Sequence, residues 1–187
     1  TSDAEYFDLE LTELETRSSA EMVRLLNEQM ADGFRVLDIR KIPSDKGSKG
    51  MTLVAAADYD VRRQNKARSR WEEISGVPGR AEELLSGYLA EDHIPVVRRT
   101  RKGERKIDIR PLIYSLDYQE DTFQLCVSQG STNNLRPEFV LFTFSAFAGF
   151  ETEISDLLIH RKEIYANFGA DGERKLVPLG ELGEIIE

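Results

Sequence analysis

The apolar pattern along this 187-residue chain predicts an α+β fold of the ferredoxin-like, split β-α-β kind. From residue 51 onward, strand-like runs and helical periodicities follow the order strand, helix, strand, strand, helix, strand. That order is typical of an antiparallel sheet that carries its helices on one face. A strand–helix–strand pattern precedes it, which is half of a second such unit. The sequence therefore predicts a β-α-β segment at 1–43, a linker at 44–50, the ferredoxin-like domain at 51–168 and an acidic tail at 169–187.

The first segment shows two alternating stretches around a helical one. In residues 6–11 apolar and acidic side chains alternate, which predicts a half-buried strand whose inner face is Phe7, Leu9 and Leu11. Serines at its start and Gly33 at its end delimit a helix within residues 18–33. Residues 34–42 are again strand-like, and Pro43 ends that strand.

The spacing of apolar residues and the positions of proline, glycine and capping residues indicate the elements of the main domain. Residues 80–92 place their apolar side chains on one helical face. A second helix is predicted from Pro137 to Gly149, which ends it, and Asn134 is expected to cap its start. This helix is apolar most of the way round, so it is either buried or docked on a partner. The other expected elements are a short helix near 71–74, strands at 51–61, 122–128 and 157–165, and a hairpin within 96–113, which supplies the second strand region of the sheet.

The hairpin predicted within residues 96–113 is strongly cationic. It holds seven basic residues in a chain whose formal net charge is −9. Apolar, β-branched flanks bracket a turn at Lys102 and Gly103, which gives the hairpin a cationic tip. Residues 1–32, by contrast, hold nine acids against two bases. Because salt confines charge effects to about 10 Å, this local patch can still bind phosphates or an acidic partner.

Composition argues against several function classes. No apolar run approaches the ~18 residues of a membrane span, and the first residues do not resemble a signal peptide. Cys126 is the one cysteine, so this chain alone can form neither a disulfide nor the three-cysteine site of a four-iron cluster. A reducing, cytoplasmic setting is the expectation. His93 and His160 have no nucleophile beside them in a motif, and no phosphate-binding glycine loop is evident. We therefore expect no catalytic set, metal or cofactor.

A binding surface is the more plausible kind of site. Cations of the hairpin, joined by polar residues at a helix start, would attract anions, because a helix N-terminus favours negative charge. The candidate residues are Arg98, Arg99, Lys102, Arg105, Asp108, Arg110, Asn133, Asn134, Arg136, His160 and Arg161. The structural interpretation is that Asp108 and Arg110 meet opposite charges across the hairpin and that Asn134 is only a helix cap. The charge pattern leaves both interpretations open.

Three blocks resemble a known bacterial family. They are RRTRKGERKIDIRPLI at 98–113, GSTNNLRPEFVL at 130–141 and LLIHRKEIY at 157–165, and EYFDLELTE at 5–13 is similar as well. In this order the blocks resemble the radical-SAM-linked family of unknown function. Members begin with a further stretch that contains an SHLD motif, and nothing similar precedes Thr1, so we expect this chain to lack it.

The resemblance implies a setting rather than a reaction. Such domains are fused to, or encoded beside, radical SAM proteins, often near a ribonuclease of the E/G type. The first hypothesis is thus an accessory, non-catalytic domain that docks a radical SAM protein or presents its substrate. The alternative is an RNA-binding domain acting in RNA modification or processing, in which Tyr114, Tyr118 and Phe123 would be the nearest aromatic residues for stacking. An enzyme in its own right ranks lowest. We expect no membrane partner, and the sequence leaves the oligomeric state open.

Overall fold

The computed structural model describes residues 1–3, 5–11, 17–42, 50–64, 70–100, 103–131, 133–170 and 173–187, with the main chain alone at residues 70, 99 and 100. The linker expected at 44–50 lies outside these ranges except for Gly50, where a short 3-10 helix, Gly50–Leu53, begins. The helices are α1 Ser19–Asn27, α2 Arg70–Ser75, α3 Arg80–Leu89 and α4 Pro137–Ala148. The strands are β1 Val54–Arg63, β2 Pro95–Thr100, β3 Gly103–Asp108, β4 Ile113–Gln119, β5 Thr122–Ser128, β6 Leu157–Asn167 and β7 Leu176–Pro178.

These elements make an α+β fold, as the sequence predicts. A five-stranded antiparallel sheet has the strand order β4-β5-β1-β6-β7, and β2 and β3 form a separate two-stranded sheet. The chain divides into two compact units. Unit 1 comprises Thr1–Ala4 and Ala55–Ile164, and unit 2 comprises Glu5–Val54 and Tyr165–Glu187.

Unit 1 is built around an aromatic and aliphatic core. β1 pairs with β5 so that Val61 lies opposite Phe123, and both side chains are buried. The ring of Trp71, on α2, packs at centroid distances of 5.0–5.4 Å against four other rings, those of Tyr118, Phe123, Phe144 and Phe150. Phe144 belongs to α4, which Gly149 ends with a positive φ of 76°. The apolar character of α4 is thus explained by burial within unit 1.

The cationic hairpin forms, but it is not a strand of the main sheet. β2 and β3 pair only with each other, and the strand beside β5 is β4 instead. The expectation that residues 96–113 supply the second strand of the sheet is therefore wrong. The physical reason is Pro111, whose ring fixes φ and removes a backbone donor, so that Arg110–Leu112 turns as a 3-10 helix and separates β3 from β4.

Unit 2 departs further from its predicted pattern. Helix α1 forms with the Ser18 hydroxyl accepting a hydrogen bond from the Glu21 amide at 3.2 Å, as expected of an N-cap. The flanking stretches at 6–11 and 34–42 are not strands, apart from an isolated bridge between Lys41 and Glu184. The predicted β-α-β half unit is therefore wrong in its strands. Alternation describes a face that a strand can bury, but a strand also needs a partner strand to pair with its backbone.

The acidic tail is held by hydrogen bonds inside unit 2. Within β7, Val177 lies opposite Ala166 of β6. Farther along, the amide of Ile186 donates to the Ser19 hydroxyl, and the amide of Ser19 donates to the Ile186 carbonyl, both at 2.9 Å. These two bonds attach the last residues of the chain to the first turn of α1.

The core position of Phe144 yields a stability prediction. Its side chain is fully buried, so Phe144→Ala should lower the free energy of unfolding by about 3–5 kcal/mol through lost burial and a residual cavity. Phe147→Ala on the same helix is the matched control, because that ring is 42% exposed and should cost less than half as much. Urea unfolding followed by the fluorescence of Trp71, the single tryptophan, measures both. Equal losses would contradict the burial of this face of α4.

Candidate functional site

Two arginines face each other across the cationic hairpin. The register of β2 and β3 places Arg98 directly opposite Arg105, and directly opposed residues share a face with Cβ atoms about 4.5–5.5 Å apart. Two residues nearer the base, Val96 and Ile107 form the preceding pair on that face, with Val96 buried. The hairpin face is thus apolar at its base and doubly cationic farther out. We call Arg98 and Arg105 the arginine pair.

The arginine pair forms no ion pair within the part of the chain that the structure describes. Both side chains are exposed, and neither forms a hydrogen bond or ion pair with a residue that the structure describes. Like charges directly opposite each other destabilise a hairpin, so an anion that binds here would relieve repulsion. On the other face, Lys106 lies opposite Val97, which is 56% exposed. Arg99 is described only by its main chain, which pairs with Glu104, and Lys102 lies outside the described residues.

Asp108 has a different environment at the base of the hairpin. Its Oδ1 accepts the amides of Ile94 at 2.9 Å and Arg110 at 3.0 Å, and its Oδ2 lies 2.8 Å from Nδ1 of His93. The hydrogen bond from His93, followed by the two amide hydrogen bonds, lowers the pKa of Asp108 to about 2. The same bond raises the pKa of His93 above its ordinary value. The Asp108 carboxylate is therefore bound by groups within the chain.

Arg110 is also engaged by the main chain. Its guanidinium donates to the carbonyl of Leu89, the last residue of α3, from Nε at 2.9 Å and from Nη2 at 2.6 Å. Nη1 donates to the carbonyl of Ile113 at 3.3 Å. A cation at a helix C-terminus satisfies carbonyls that have no partner inside the helix. The structural interpretation, in which both residues meet opposite charges across the hairpin, is wrong for Arg110, whose partners are main-chain carbonyls. Asp108 instead contacts His93, just before β2, together with two main-chain amides.

The polar residues before α4 are arranged differently from the prediction. Arg136, not Asn134, occupies the N-cap position of α4, and no side chain caps it. Arg136 forms a short ion pair with Glu138, and its guanidinium lies 6.0 Å from the ring of Phe139. Asn133 accepts a hydrogen bond through its carbonyl from the hydroxyl of Ser128. The carboxylate of Glu138 already supplies the negative charge that a helix N-terminus favours.

His160 and Arg161 lie on β6 beside residues 1–3. The Nδ1 of His160 is 2.7 Å from the hydroxyl of Thr1, and its Nε2 is 2.9 Å from Oδ2 of Asp3. This hydrogen bond with His160 lowers the pKa of Asp3. The backbone of Arg161 exchanges hydrogen bonds with Thr1 and Asp3. Although hydroxyl, imidazole and carboxylate follow the order of a nucleophile–base relay, the Asp3 carboxylate is 60% exposed, and the contacts serve to hold residues 1–3 along β6.

The predicted site residues thus fall into separate groups. Among the described residues, no hydrogen bond or ion pair joins the arginine pair to the start of α4 or to His160. Sequence reasoning missed the hydroxyl and carboxylate that reach His160, and it missed a cavity of about 40 Å³ lined by Arg63, Trp71, Glu72, Tyr118 and Asp121. No sequence signal marks either group, because the participants are far apart along the chain.

Three further observations bear on function. In the described part of the chain, no group of three or more His, Cys, Asp or Glu side chains is placed to bind a metal ion. No helix there has the length and apolarity that crossing a bilayer requires. Phe123, one of the aromatic residues considered for base stacking, is buried, and Tyr118 packs against Trp71.

The fold and this surface define an α+β protein with a separate hairpin, on which the arginine pair is exposed and has no partner among the described residues. The chain belongs to a family of uncharacterised proteins conserved in bacteria, DUF2344, whose model matches residues 1–137. The match contains the hairpin and ends at the first residue of α4, so the block at 157–165 lies beyond it. Comparison with curated proteins and with solved structures gives no match.

The His93–Asp108 contact predicts a specific pH response. Because the pKa of Asp108 is lowered, its contribution to stability is present above the usual carboxyl pKa and is lost as the pH falls towards 2. Because the pKa of His93 is raised, its contribution is complete below about pH 6.5 and is lost as the pH rises through the raised value. We expect Asp108→Asn to return the pKa of His93 towards its usual value in an NMR titration. Asp3→Asn, which removes a carboxylate that contacts His160 rather than His93, is the matched control and should leave the titration of His93 unchanged. An unchanged His93 titration in Asp108→Asn would contradict the contact.

Proposed function

We propose that this chain is an accessory, non-catalytic binding domain that works with a radical SAM protein and recognises its partner through the basic hairpin. The observation that carries the proposal is the arginine pair: Arg98 and Arg105 directly opposite each other, exposed, and unpaired among the described residues. A partner carboxylate or other anion placed between the two guanidinia would replace repulsion by two charge-assisted hydrogen bonds.

The surroundings of the hairpin support a recognition role. Its base is fixed by Asp108 and by the 3-10 turn at Arg110–Leu112, so little order has to be imposed when a partner binds. Val97, on the opposite face, adds an exposed apolar contact beside Lys106. A mixture of fixed cations and an apolar side chain suits a protein surface that carries acids.

The choice of a radical SAM protein rests on the resemblance of the sequence blocks. The single cysteine, Cys126, fits an accessory role beside a protein that carries the three-cysteine cluster site itself. A reducing cytoplasm, where such clusters persist, is the compartment that this proposal requires.

The proposal extends to the topology of unit 1, for which we infer the ferredoxin-like split β-α-β arrangement. The strands β1, β4, β5 and β6 are the four of that pattern, with α3 between the first two and α4 between the last two. Their order β6-β1-β5-β4 supports the inference, because the first strand lies between the third and the fourth. Interstrand NOEs between β1 and β6 test it, and their absence would exclude this topology.

An RNA ligand is the weaker alternative. Single-stranded RNA recognition on such a sheet relies on exposed aromatic rings that stack on bases. Phe123 is buried, and Tyr118 is occupied by Trp71, so neither ring offers a free face of that kind. The net charge of −9 also opposes approach to a polyanion at low salt. These observations favour an acidic protein surface over RNA.

Adjacent residues on opposite faces of the hairpin allow a matched test. Arg105→Glu should weaken binding to the proposed radical SAM partner by at least about tenfold, because the new carboxylate would repel the partner's anion. Lys106→Glu makes the same charge change one residue on, on the other face, and should weaken binding by less than about threefold. Titration calorimetry with both proteins at their full natural length measures the two affinities.

Two results would reject this proposal. One is no association of the unaltered proteins at micromolar concentration. The other is an equal loss for both substitutions, which would indicate a general charge effect. Binding to RNA oligonucleotides, with a salt slope that falls by roughly one unit in Arg105→Ala, would support the alternative instead.

A further inference from the structure

Unit 2 exposes apolar side chains that ordinarily make a core. Of the fifteen large apolar side chains that are exposed in the described residues, ten belong to unit 2. The buried apolar residues of unit 2 in the same part of the chain are Ala166 and Leu179. Covering exposed apolar side chains removes their area from water, which favours binding of a partner that packs on them. Unit 2 therefore has apolar surface available to a partner.

The clearest regularity in that surface is at residues 7–11. Phe7 and Leu9 are each 62% exposed and Leu11 is 57% exposed, so every second side chain is a large exposed hydrophobe. Within the described part of the chain, the amides and carbonyls of these five residues form no hydrogen bond. Alternating apolar side chains together with unused backbone donors and acceptors are the features of an edge strand that lacks its neighbour.

This edge is held in place rather than trailing freely. The carboxylate of Asp8 contacts the 3-10 helix Gly50–Leu53, where its Oδ2 accepts a hydrogen bond from the amide of Met51 at 3.2 Å. One residue before the edge, the ring of Tyr6 lies so close to Gly180 that a Cβ there would be 3.1 Å from its hydroxyl. A fixed edge loses less conformational entropy on binding than a disordered one.

We propose that residues 7–11 accept an extended segment of a partner protein as an added β-strand, and that this segment alternates apolar residues with lysine or arginine. Backbone hydrogen bonds would supply the affinity, and the alternate side chains would supply the specificity. The period of two favours a strand over a helix as the occupant. The partner's alternate residues should be basic, because Asp8 and Glu10 lie within the edge and residues 1–32 hold nine acids against two bases.

This site is independent of the basic hairpin. The hairpin belongs to unit 1 and attracts anions, whereas residues 7–11 belong to unit 2 and select cations. A second copy of this chain, pairing the same edge with itself, would bring its own acids opposite each other, which disfavours self-pairing.

Amide hydrogen exchange with synthetic peptides tests the proposal. The probe is a ten-residue peptide of alternating valine and lysine. At a free concentration about ten times its Kd, it should slow exchange of the amides of residues 7–11 by about tenfold, because bound amides are protected. The controls are a valine-block, lysine-block peptide of the same composition and an alternating valine–glutamate peptide. Neither control should protect these amides.

Leu9→Ser tests the same edge from the protein side. The side chain faces solvent, so the fold should persist, while protection by the valine–lysine peptide should fall to less than half. Ile154→Ser is the matched control, because it removes a 54% exposed hydrophobe from unit 1 and should leave protection unchanged. Equal protection by all three peptides, no protection by any, or concentration-dependent protection without peptide would each overturn the proposal, the last in favour of a second copy.

Discussion

The two hydrogen bonds from Arg110 to the carbonyl of Leu89 govern the layout of unit 1. They fix the end of α3 to the turn at Arg110–Leu112, while Asp108 holds the amide of Ile94, which precedes β2. Ile109 between them is fully buried and donates its amide to the carbonyl of Ile94 at 2.9 Å. A helix end, the base of the hairpin and the start of β4 therefore meet at one corner.

The two halves of the sequence block at 98–113 differ in how their charged side chains are bound. In its second half, residues 108–113, the charged side chains bind groups of the chain itself. At the corner, the hydrogen bonds of Asp108 and Arg110 go to main-chain groups, apart from the contact between Asp108 and His93. Its first half carries Arg98 and Arg105, whose charge meets no partner among the described residues. Arg110 and the arginine pair thus differ in what surrounds them. This division is the basis for assigning recognition to the hairpin rather than to the corner.

The sequence predicts the elements that are stabilised locally or by one apolar face. The spacing of apolar residues and the positions of proline and glycine predict helix α3, helix α4 with its end at Gly149, strand β5 and the existence of the hairpin. It fails where a long-range partner decides the outcome. Residues 6–11 have the alternation of a strand, but no strand that the structure describes pairs with them. Asn134 has the chemistry of a cap but lies two residues before the N-cap position of α4. The sequence did not reveal the partners of Asp108 and His160 either, because hydrogen bonds between groups that are far apart along the chain leave no pattern in it.

The most direct measurement compares two substitutions of arginine by glutamine. In urea unfolding followed by Trp71 fluorescence, Arg110→Gln should lower the free energy of unfolding by about 1.5–3 kcal/mol, because the Leu89 carbonyl loses its charged donor. Arg105→Gln should change it by no more than about 0.5 kcal/mol, or raise it, because the charge it removes faces Arg98. A loss at Arg105 as large as the loss at Arg110 would show that the hairpin arginines are structural and would contradict their proposed role in recognition.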